Sequence, residues 1–175
     1  MEGAPANPFA FLGEEDFVYE DFGDLLPCPE KADKIKGYKL LIIFYNASWC
    51  LAGCGGTRQA MKECYPVWNK FNPDSFGYDE KNVQVLTVTM DRTSAEFGTT
   101  MEECPWPALK WGSEFKDEAM DVVDPKGNHP SIFVLNGTTG QVLTLENGDQ
   151  DAFTKFDLDK SEGKMQFYEY FMGKV

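Results

Sequence analysis

The sequence predicts an α/β fold, because two strongly apolar strand segments flank a segment with helical periodicity. Residues 39–46 form an almost unbroken apolar run, which is typical of a central strand buried on both faces of a sheet. A second run, residues 83–90, is rich in β-branched residues, and residues 57–71 between the two runs space their apolar side chains as an amphipathic helix does. This order of elements indicates a layered α/β domain.

The remaining elements follow from capping and turn signals. Residues 93–103 predict a helix that opens with Thr93 and Glu96 in a capping pattern. Residues 132–145 predict an antiparallel hairpin around a turn of Gly and Thr, and residues 165–172 predict a terminal aromatic helix. We therefore expect the hairpin to close the far side of the sheet.

The acidic charge is concentrated at the two ends of the chain. The net charge is −13, and residues 1–30 contain eight acidic residues and no Lys or Arg, interleaved with five aromatic residues. We divide the chain into an acidic aromatic N-terminal extension (1–30), a central domain (31–145) and a C-terminal extension (146–175). The first extension is expected to dock on its own domain or on a basic groove of a partner, and the alternative is a disordered, solubilising tail. Such an acidic chain is not expected to bind nucleic acid.

Cysteine usage and hydropathy bear on the compartment. Five cysteines are an odd number without a framework spacing, which favours a reducing compartment such as the cytoplasm, while an organellar or assembly-bound location stays open. No apolar run approaches the roughly 18 residues that a membrane span needs, and the N-terminus lacks a secretory signal pattern. We expect a chain without a membrane span.

Cys50 and Cys54 follow the first apolar strand and are the strongest candidates for chemistry. In α/β sheets the carboxyl ends of strands face helix N-termini, whose N–H groups favour an anion. Such surroundings lower a cysteine pKa from about 8.5 into the range of roughly 3.5–7.5, and the thiolate is the form that attacks disulfides. The sequence therefore predicts thiol–disulfide chemistry at Cys50.

The spacing of these two cysteines leaves alternatives open. Three residues separate them, and residues four apart on a helix still share a face, so a disulfide between them is possible. Gly53, Gly55 and Gly56 disfavour helix by about 1 kcal/mol each relative to Ala, so we expect the helix to begin only at Thr57. Cys50 would then lie in a loop. The alternative is that both cysteines are small, semi-buried thiols without chemistry.

Four stretches of the chain resemble one family of redox proteins. Residues 45–50, Tyr-Asn-Ala-Ser-Trp-Cys, resemble the active-site approach of thioredoxin-fold oxidoreductases, most closely the tryparedoxin and nucleoredoxin branch. Residues 83–91, 104–108 and 129–134 resemble the same branch, in the same order. The resemblance implies a thioredoxin-like three-layer α/β/α fold with a mixed central sheet flanked by helices. The branch has two residues between its cysteines, and this chain has three.

The resemblance also implies residue roles. Cys50 would attack a substrate disulfide and Cys54 would resolve the mixed disulfide, with protein disulfides as substrates, a dithiol system as reductant and no bound cofactor. Pro130 would be the cis-proline that faces the cysteines. The residues implied for the substrate groove are Trp49, Trp106, His129 and Pro130.

Two other functions are compatible with the same residues. The chain would serve as a redox-inactive structural subunit if the thioredoxin-like scaffold has lost the reaction and its acidic aromatic ends dock to other proteins. Cys50, Cys54 and His129 also resemble the copper site of Sco-type chaperones, since thiolates and imidazole suit Cu(I). We expect no metal at this site, and His129 would instead stabilise the thiolate or move a proton.

Overall fold

The computed structural model describes residues 17–28, 37–113, 116, 130–152, 155–158 and 160–175. Nine strands and three helices lie in these residues. The strands are β1 (Phe17–Asp21), β2 (Asp24–Pro27), β3 (Leu40–Asn46), β4 (Phe71–Asn72), β5 (Gly77–Tyr78), β6 (Val83–Thr89), β7 (Ala108–Leu109), β8 (Ser131–Asn136) and β9 (Val142–Leu143). The helices are α1 (Gly56–Trp68), α2 (Ser94–Met101) and α3 (Ser161–Met172).

Seven strands form one mixed sheet in the order β2-β1-β7-β6-β3-β8-β9. The central strand β3 is buried along its whole length, runs parallel to β6 and pairs antiparallel with β8. Strand β7 is also parallel to β6. The carboxyl ends of β3, β6 and β7 therefore lie at one edge of the sheet. The predicted α/β class with a mixed sheet flanked by helices is confirmed.

Side chains of β3 alternate between two apolar clusters, one on each face of the sheet. Leu40, Ile42 and Phe44 pack in a cluster to which α1, α2 and α3 all contribute buried side chains. Leu41, Ile43 and Tyr45 belong to the second cluster, on the opposite face. Because both faces of β3 are covered, its apolar run is continuous rather than alternating.

Both predicted extensions contribute to the folded domain in the described residues. Strand β1 pairs with β7 and carries β2 with it, so residues 17–27 add a hairpin to the edge of the sheet. At the other end, Phe167 and Phe171 of α3 are buried in the cluster of the helical face. Phe17, Phe167 and Phe171 are core residues, so residues 17–27 and α3 pack against the predicted central domain. Residues 1–16 lie outside the described residues, and their docking stays a prediction.

None of the three helices in the described part of the chain has the length and hydropathy that crossing a membrane requires.

Candidate active site

The segment after β3 places both cysteines at the start of α1. Residues Leu51–Gly55 form a π-helical turn that continues directly into α1. The backbone N–H groups of Cys54 and Gly55 donate to the Cys50 carbonyl oxygen at 3.0 and 3.3 Å. The expected loop up to Thr57 is therefore wrong. A π-turn takes up one residue more than an α-turn, so the wider cysteine spacing is accommodated within the helical segment.

The environments of the two thiols push their pKa values apart. Partial burial opposes ionisation of Cys50, but hydrogen bonds from the Cys54 thiol and from the N–H groups of Cys54 and Gly53, together with the charge of Arg58, lower its pKa overall. Burial, followed by the hydrogen bond to Cys50, raises the pKa of Cys54 to about 12. Cys50 is accessible to solvent, and Cys54 is fully buried. The arrangement favours a thiolate on Cys50 beside a protonated Cys54.

Pro130 packs against the cysteine turn through Gly53. A Cβ atom at position 53 would lie 2.8 Å from Cδ of Pro130 and 3.6 Å from Sγ of Cys50. Real Cβ atoms essentially never come as close as the first of these distances, so a larger residue here would require a shift of the proline ring. Gly53 thus permits a close approach between the turn and Pro130. His129 lies outside the described residues, and its predicted role stays a prediction.

A buried carboxylate holds the residues that precede Cys50. Oδ1 of Asp91 accepts hydrogen bonds from the backbone N–H of Ser48 at 2.8 Å and from its hydroxyl at 2.9 Å. Oδ2 accepts from the hydroxyl groups of Thr89 at 2.6 Å and of Thr100. Asp91 is only 7% exposed. It therefore ties together the ends of β3 and β6 and the helix α2, and its bonds to Ser48 lie two residues before Cys50.

Two exposed tryptophans flank this carboxylate. The indole N–H of Trp49 donates to the carbonyl oxygen of Met90 at 3.3 Å, and that of Trp111 donates to the carbonyl oxygen of Asp91 at 3.4 Å. Each side chain is 43% exposed. The guanidinium of Arg92 lies over the Trp49 ring, 5.3 Å from its centroid. The face beside Cys50 therefore combines aromatic surface with a positive charge.

Trp106 does not contribute to this face, which corrects the prediction that it lines the substrate groove. Its side chain is 1% exposed, donates to the hydroxyl of Thr87 at 3.0 Å and packs against Tyr65. Trp106 precedes β7 and points into the core. Trp111 follows β7, and the carboxyl end of this strand lies at the edge of the sheet that carries Cys50.

Sequence reasoning missed four residues of this region: Arg58, Asp91, Arg92 and Trp111. Arg58 lies in the first turn of α1 and donates to Oδ1 of Asn46 at 3.2 Å. A positional signal existed for two of the others, since Asp91 and Trp111 follow parallel strands at the edge of the sheet that carries Cys50.

The metal hypothesis combines two described cysteines with His129, which lies outside the described residues. No group of three His, Cys, Asp or Glu side chains suited to a metal ion occurs among them. Because His129 lies outside these residues, a Cu(I) site of Cys50, Cys54 and His129 stays the alternative to the predicted absence of a metal.

Comparison with known proteins agrees with the fold and with the resemblance. No protein-family model matches the chain. A probable nucleoredoxin 3 from Oryza sativa subsp. japonica is 27% identical over 133 residues, which is 70% of this chain and 26% of that protein. The chain thus spans about a quarter of the length of this curated relative.

Several solved structures share the fold over nearly their whole length. Tryparedoxin II from C. fasciculata superposes with a TM-score of 0.63 at 18% identity, covering 93% of this chain and 97% of that one. Tryparedoxin I from Crithidia fasciculata gives a TM-score of 0.61 at 21% identity, with coverage of 93% and 96%. Thioredoxin from Wuchereria bancrofti gives a TM-score of 0.59 at 16% identity, with coverage of 94% and 99%.

The sheet order, the two cysteines at the end of the central strand and these superpositions define a thioredoxin-like fold. Within it, the proteins that this chain is similar to include tryparedoxins and a nucleoredoxin, as residues 45–50 and the later segments predicted.

Proposed function

We propose that the chain is a thiol–disulfide oxidoreductase that reduces protein disulfides through Cys50 and Cys54. The observation that carries the proposal is the contact between a partly exposed Cys50 thiol and a fully buried Cys54 thiol at the start of α1, an arrangement that lowers the pKa of Cys50 and raises that of Cys54. Nucleophile and resolving thiol need these opposite properties, because the first must be ionised and the second must keep its proton until it attacks. The names of the tryparedoxin and nucleoredoxin relatives support the same reaction class.

The proposed reaction proceeds by two exchanges of sulfur bonds. The Cys50 thiolate attacks one sulfur of the substrate disulfide, forms a mixed disulfide and releases the other substrate sulfur as a thiolate, which takes up a proton. Cys54 then loses its proton and attacks Sγ of Cys50, forming the Cys50–Cys54 disulfide and releasing the second substrate thiolate. Two electrons pass to the substrate, and a dithiol reductant restores the enzyme.

The surrounding residues have proposed supporting roles in this reaction. Trp49 offers exposed aromatic surface next to the nucleophile. Pro130 packs against the same turn, in contact with Gly53. His129 would present its backbone to an extended substrate segment, as the resemblance implies. We place the activity in a reducing compartment such as the cytoplasm, which the odd number of cysteines supports.

The experiment is insulin reduction with dithiothreitol as the electron donor. We expect the wild-type chain to accelerate insulin precipitation and Cys50→Ser to give the rate without enzyme. Without dithiothreitol, the pre-reduced Cys54→Ser variant should accumulate a mixed disulfide with insulin at Cys50, detectable by mass spectrometry. Cys64→Ala is the matched control, since Cys64 is buried in the core at 3% exposure and should leave the rate unchanged. Equal rates for wild type and Cys50→Ser would refute the proposal.

A second candidate function is docking to a partner through the hairpin of β1 and β2. Phe22 occupies the turn with φ of 50°, a conformation unfavourable for a bulky residue, and its side chain is fully exposed. Strained residues cluster at binding sites, and at Phe22 the strain coincides with an acidic surrounding. Carboxylates surround it, so the partner would offer an apolar pocket with a basic rim. The carboxylates belong to Glu20, Asp21, Glu102 and Glu103, which line one cleft together with Phe22.

Phe22→Asn tests this docking function, because Asn and Gly are the residues that such a turn prefers. We expect the variant to be more stable by about 1 kcal/mol yet to leave a large complex when cell extract is separated by native size-exclusion chromatography. Phe76→Asn is the matched control, since Phe76 is also exposed and has φ of 52°. Identical elution of both variants and wild type would rule out docking through Phe22.

A further inference from the structure

We propose that Arg92 and Trp49 form a carboxylate-binding subsite beside Cys50, and that the preferred substrates are therefore protein disulfides flanked by acidic residues. This inference rests on the proposed function, because it concerns the choice of substrate at the same site.

The first observation is where the chain places its arginines. The whole sequence has a net charge of −13 and contains only two arginines, Arg58 and Arg92. Both lie at the dithiol: Arg58 acts on the pKa of Cys50, and Arg92 contacts the residue that precedes Cys50 in sequence. Arginine is the side chain best suited to bind carboxylates, since its planar fork of N–H groups matches their geometry.

The second observation is how Arg92 is held. The Trp49 ring is fixed by its hydrogen bond to Met90, and the guanidinium lies over that ring at 5.3 Å. Within the described part of the chain, Arg92 takes part in none of the ion pairs. A guanidinium that lies on an aromatic face still presents its N–H groups around the edge, where a carboxylate binds. The subsite therefore carries a positioned charge on an exposed surface.

The third observation concerns Asp91 and Glu96, the two acids in the described part of the chain that bond next to Arg92 and are committed to other contacts. Asp91 is buried, and both of its oxygens already accept hydrogen bonds. The carboxylate of Glu96 accepts the backbone N–H of Arg92 at 2.8 Å, at the N-terminus of α2. Arg58 is bonded to Asn46 and directs its charge towards the thiols. An incoming carboxylate would thus meet Arg92.

The expected effect is modest, because the subsite is exposed to water. Exposed ion pairs contribute between about 0.2 and 1 kcal/mol, which corresponds to a preference of up to about fivefold. We therefore expect acidic substrates to be favoured about three- to fivefold in kcat/KM at low salt. The preference should shrink as salt is added, because ions screen exposed charges.

The test uses three disulfide peptides of one sequence that differ only in whether Glu, Gln or Lys flanks the cysteine. For each enzyme variant, kcat/KM is measured with every peptide, and the ratio of the Glu to the Gln peptide is compared. The ratio cancels any general loss of activity. We expect wild type to prefer Glu, then Gln, then Lys, mainly through KM. In Arg92→Gln the ratio should fall towards one, and Arg92→Lys should restore part of it.

Lys174→Gln is the matched control, because it removes an equal charge that also lies over an aromatic ring. Lys174 contacts Tyr170 at 4.8 Å. Helix α3 runs alongside α1 with Lys164 near Glu63 and Tyr168 near Trp68, so Lys174 lies beyond the end of α1 that is remote from Cys50. We expect this variant to keep the wild-type ratio.

The outcomes separate this inference from the proposed function. If the peptides are reduced in a Cys50-dependent way but the ratio is one in wild type, or is unchanged in Arg92→Gln, the subsite is refuted and the reductase stands. A ratio that falls equally in Lys174→Gln would also refute the subsite, since only net charge would matter. If no peptide is reduced faster by wild type than by Cys50→Ser, the proposed function itself fails.

Discussion

Replacing Asp91 by alanine tests whether one buried carboxylate holds the segment that precedes Cys50. The change leaves four donors without their acceptor: the N–H and hydroxyl of Ser48 and the hydroxyls of Thr89 and Thr100. Thr89 and Thr100 are themselves 6% and 0% exposed, so water does not easily replace the lost oxygens. Hydrogen bonds to charged groups contribute about 1.5–3 kcal/mol each and are not additive. We expect the free energy of unfolding to fall by about 3–4 kcal/mol.

Asp91→Asn separates the charge from the hydrogen bonds. Its amide oxygen still accepts from Ser48, and the hydroxyls of Thr89 and Thr100 can rotate to accept from its amino group. Only the extra strength that the charge gives to these hydrogen bonds is lost, so we expect the free energy of unfolding to fall by about 1–2 kcal/mol.

The assay is urea unfolding of the reduced protein, followed by tryptophan fluorescence and circular dichroism. Asp79→Ala is the matched control, because this exposed carboxylate accepts a single side-chain hydrogen bond, from Asn72 at 3.0 Å. We expect Asp79→Ala to lower the free energy of unfolding by less than about 1 kcal/mol. If Asp91→Ala is no less stable than Asp79→Ala, or if Asp91→Asn costs as much as Asp91→Ala, the reasoning about this carboxylate is wrong.

Three further predictions concern the two thiols of the candidate site and the tryptophans Trp106 and Trp111. Cys54→Ala should raise the pKa of Cys50, because the hydrogen bond from the Cys54 thiol to the Cys50 thiolate is lost. The midpoint of the pH dependence of iodoacetamide labelling should therefore move to higher pH. An unchanged midpoint would contradict the role of this hydrogen bond. Arg58→Gln should shift the same midpoint in the same direction, since the Arg58 charge favours the thiolate, and a shift to lower pH would be contrary to this electrostatic account. Trp106→Ala should lower the free energy of unfolding in urea by about 3–5 kcal/mol, because Trp106 is a core residue. Trp111→Ala should lower it by less than about 1 kcal/mol, because Trp111 is exposed. The reverse order would contradict the assignment of Trp106 to the core and of Trp111 to the surface.

The central strands were predictable because their sequence pattern has one physical meaning. Residues 39–46 and 83–90 were predicted as strands, and the structure has Leu40–Asn46 and Val83–Thr89. A long apolar run with β-branched residues has few alternatives in a chain of this composition. The N-terminal hairpin was missed because Phe17 and its acidic neighbours give the pattern of a docking tail as well as that of an edge strand. Which of the two forms depends on an open edge at β7, which is a tertiary property.

The cysteine turn was mispredicted because helix propensity was weighed without the hydrogen bonds of the turn. Three glycines within four residues disfavour helix, which led to an expected start at Thr57. In the structure the Cys50 carbonyl oxygen accepts from both Cys54 and Gly55, and the close approach of Pro130 requires a glycine at position 53. Glycine at this position therefore serves a close contact and does not mark a loop, and propensity alone does not distinguish these two causes.

The residues of the candidate site can be located once it is known which strands of the sheet run parallel. Cys50 comes after β3, Asp91 after β6 and Trp111 after β7, and these three strands point the same way. Trp106 comes before β7, so its side chain belongs to the core although its local sequence resembles that of a groove residue. A motif match locates a segment of the chain. The direction of the strand decides which residues of that segment lie at the edge of the sheet that carries Cys50. Asp91 and Trp111 were therefore recognisable in principle once β6 and β7 were known to run parallel to β3, but nothing in residues 104–111 by themselves reveals that direction.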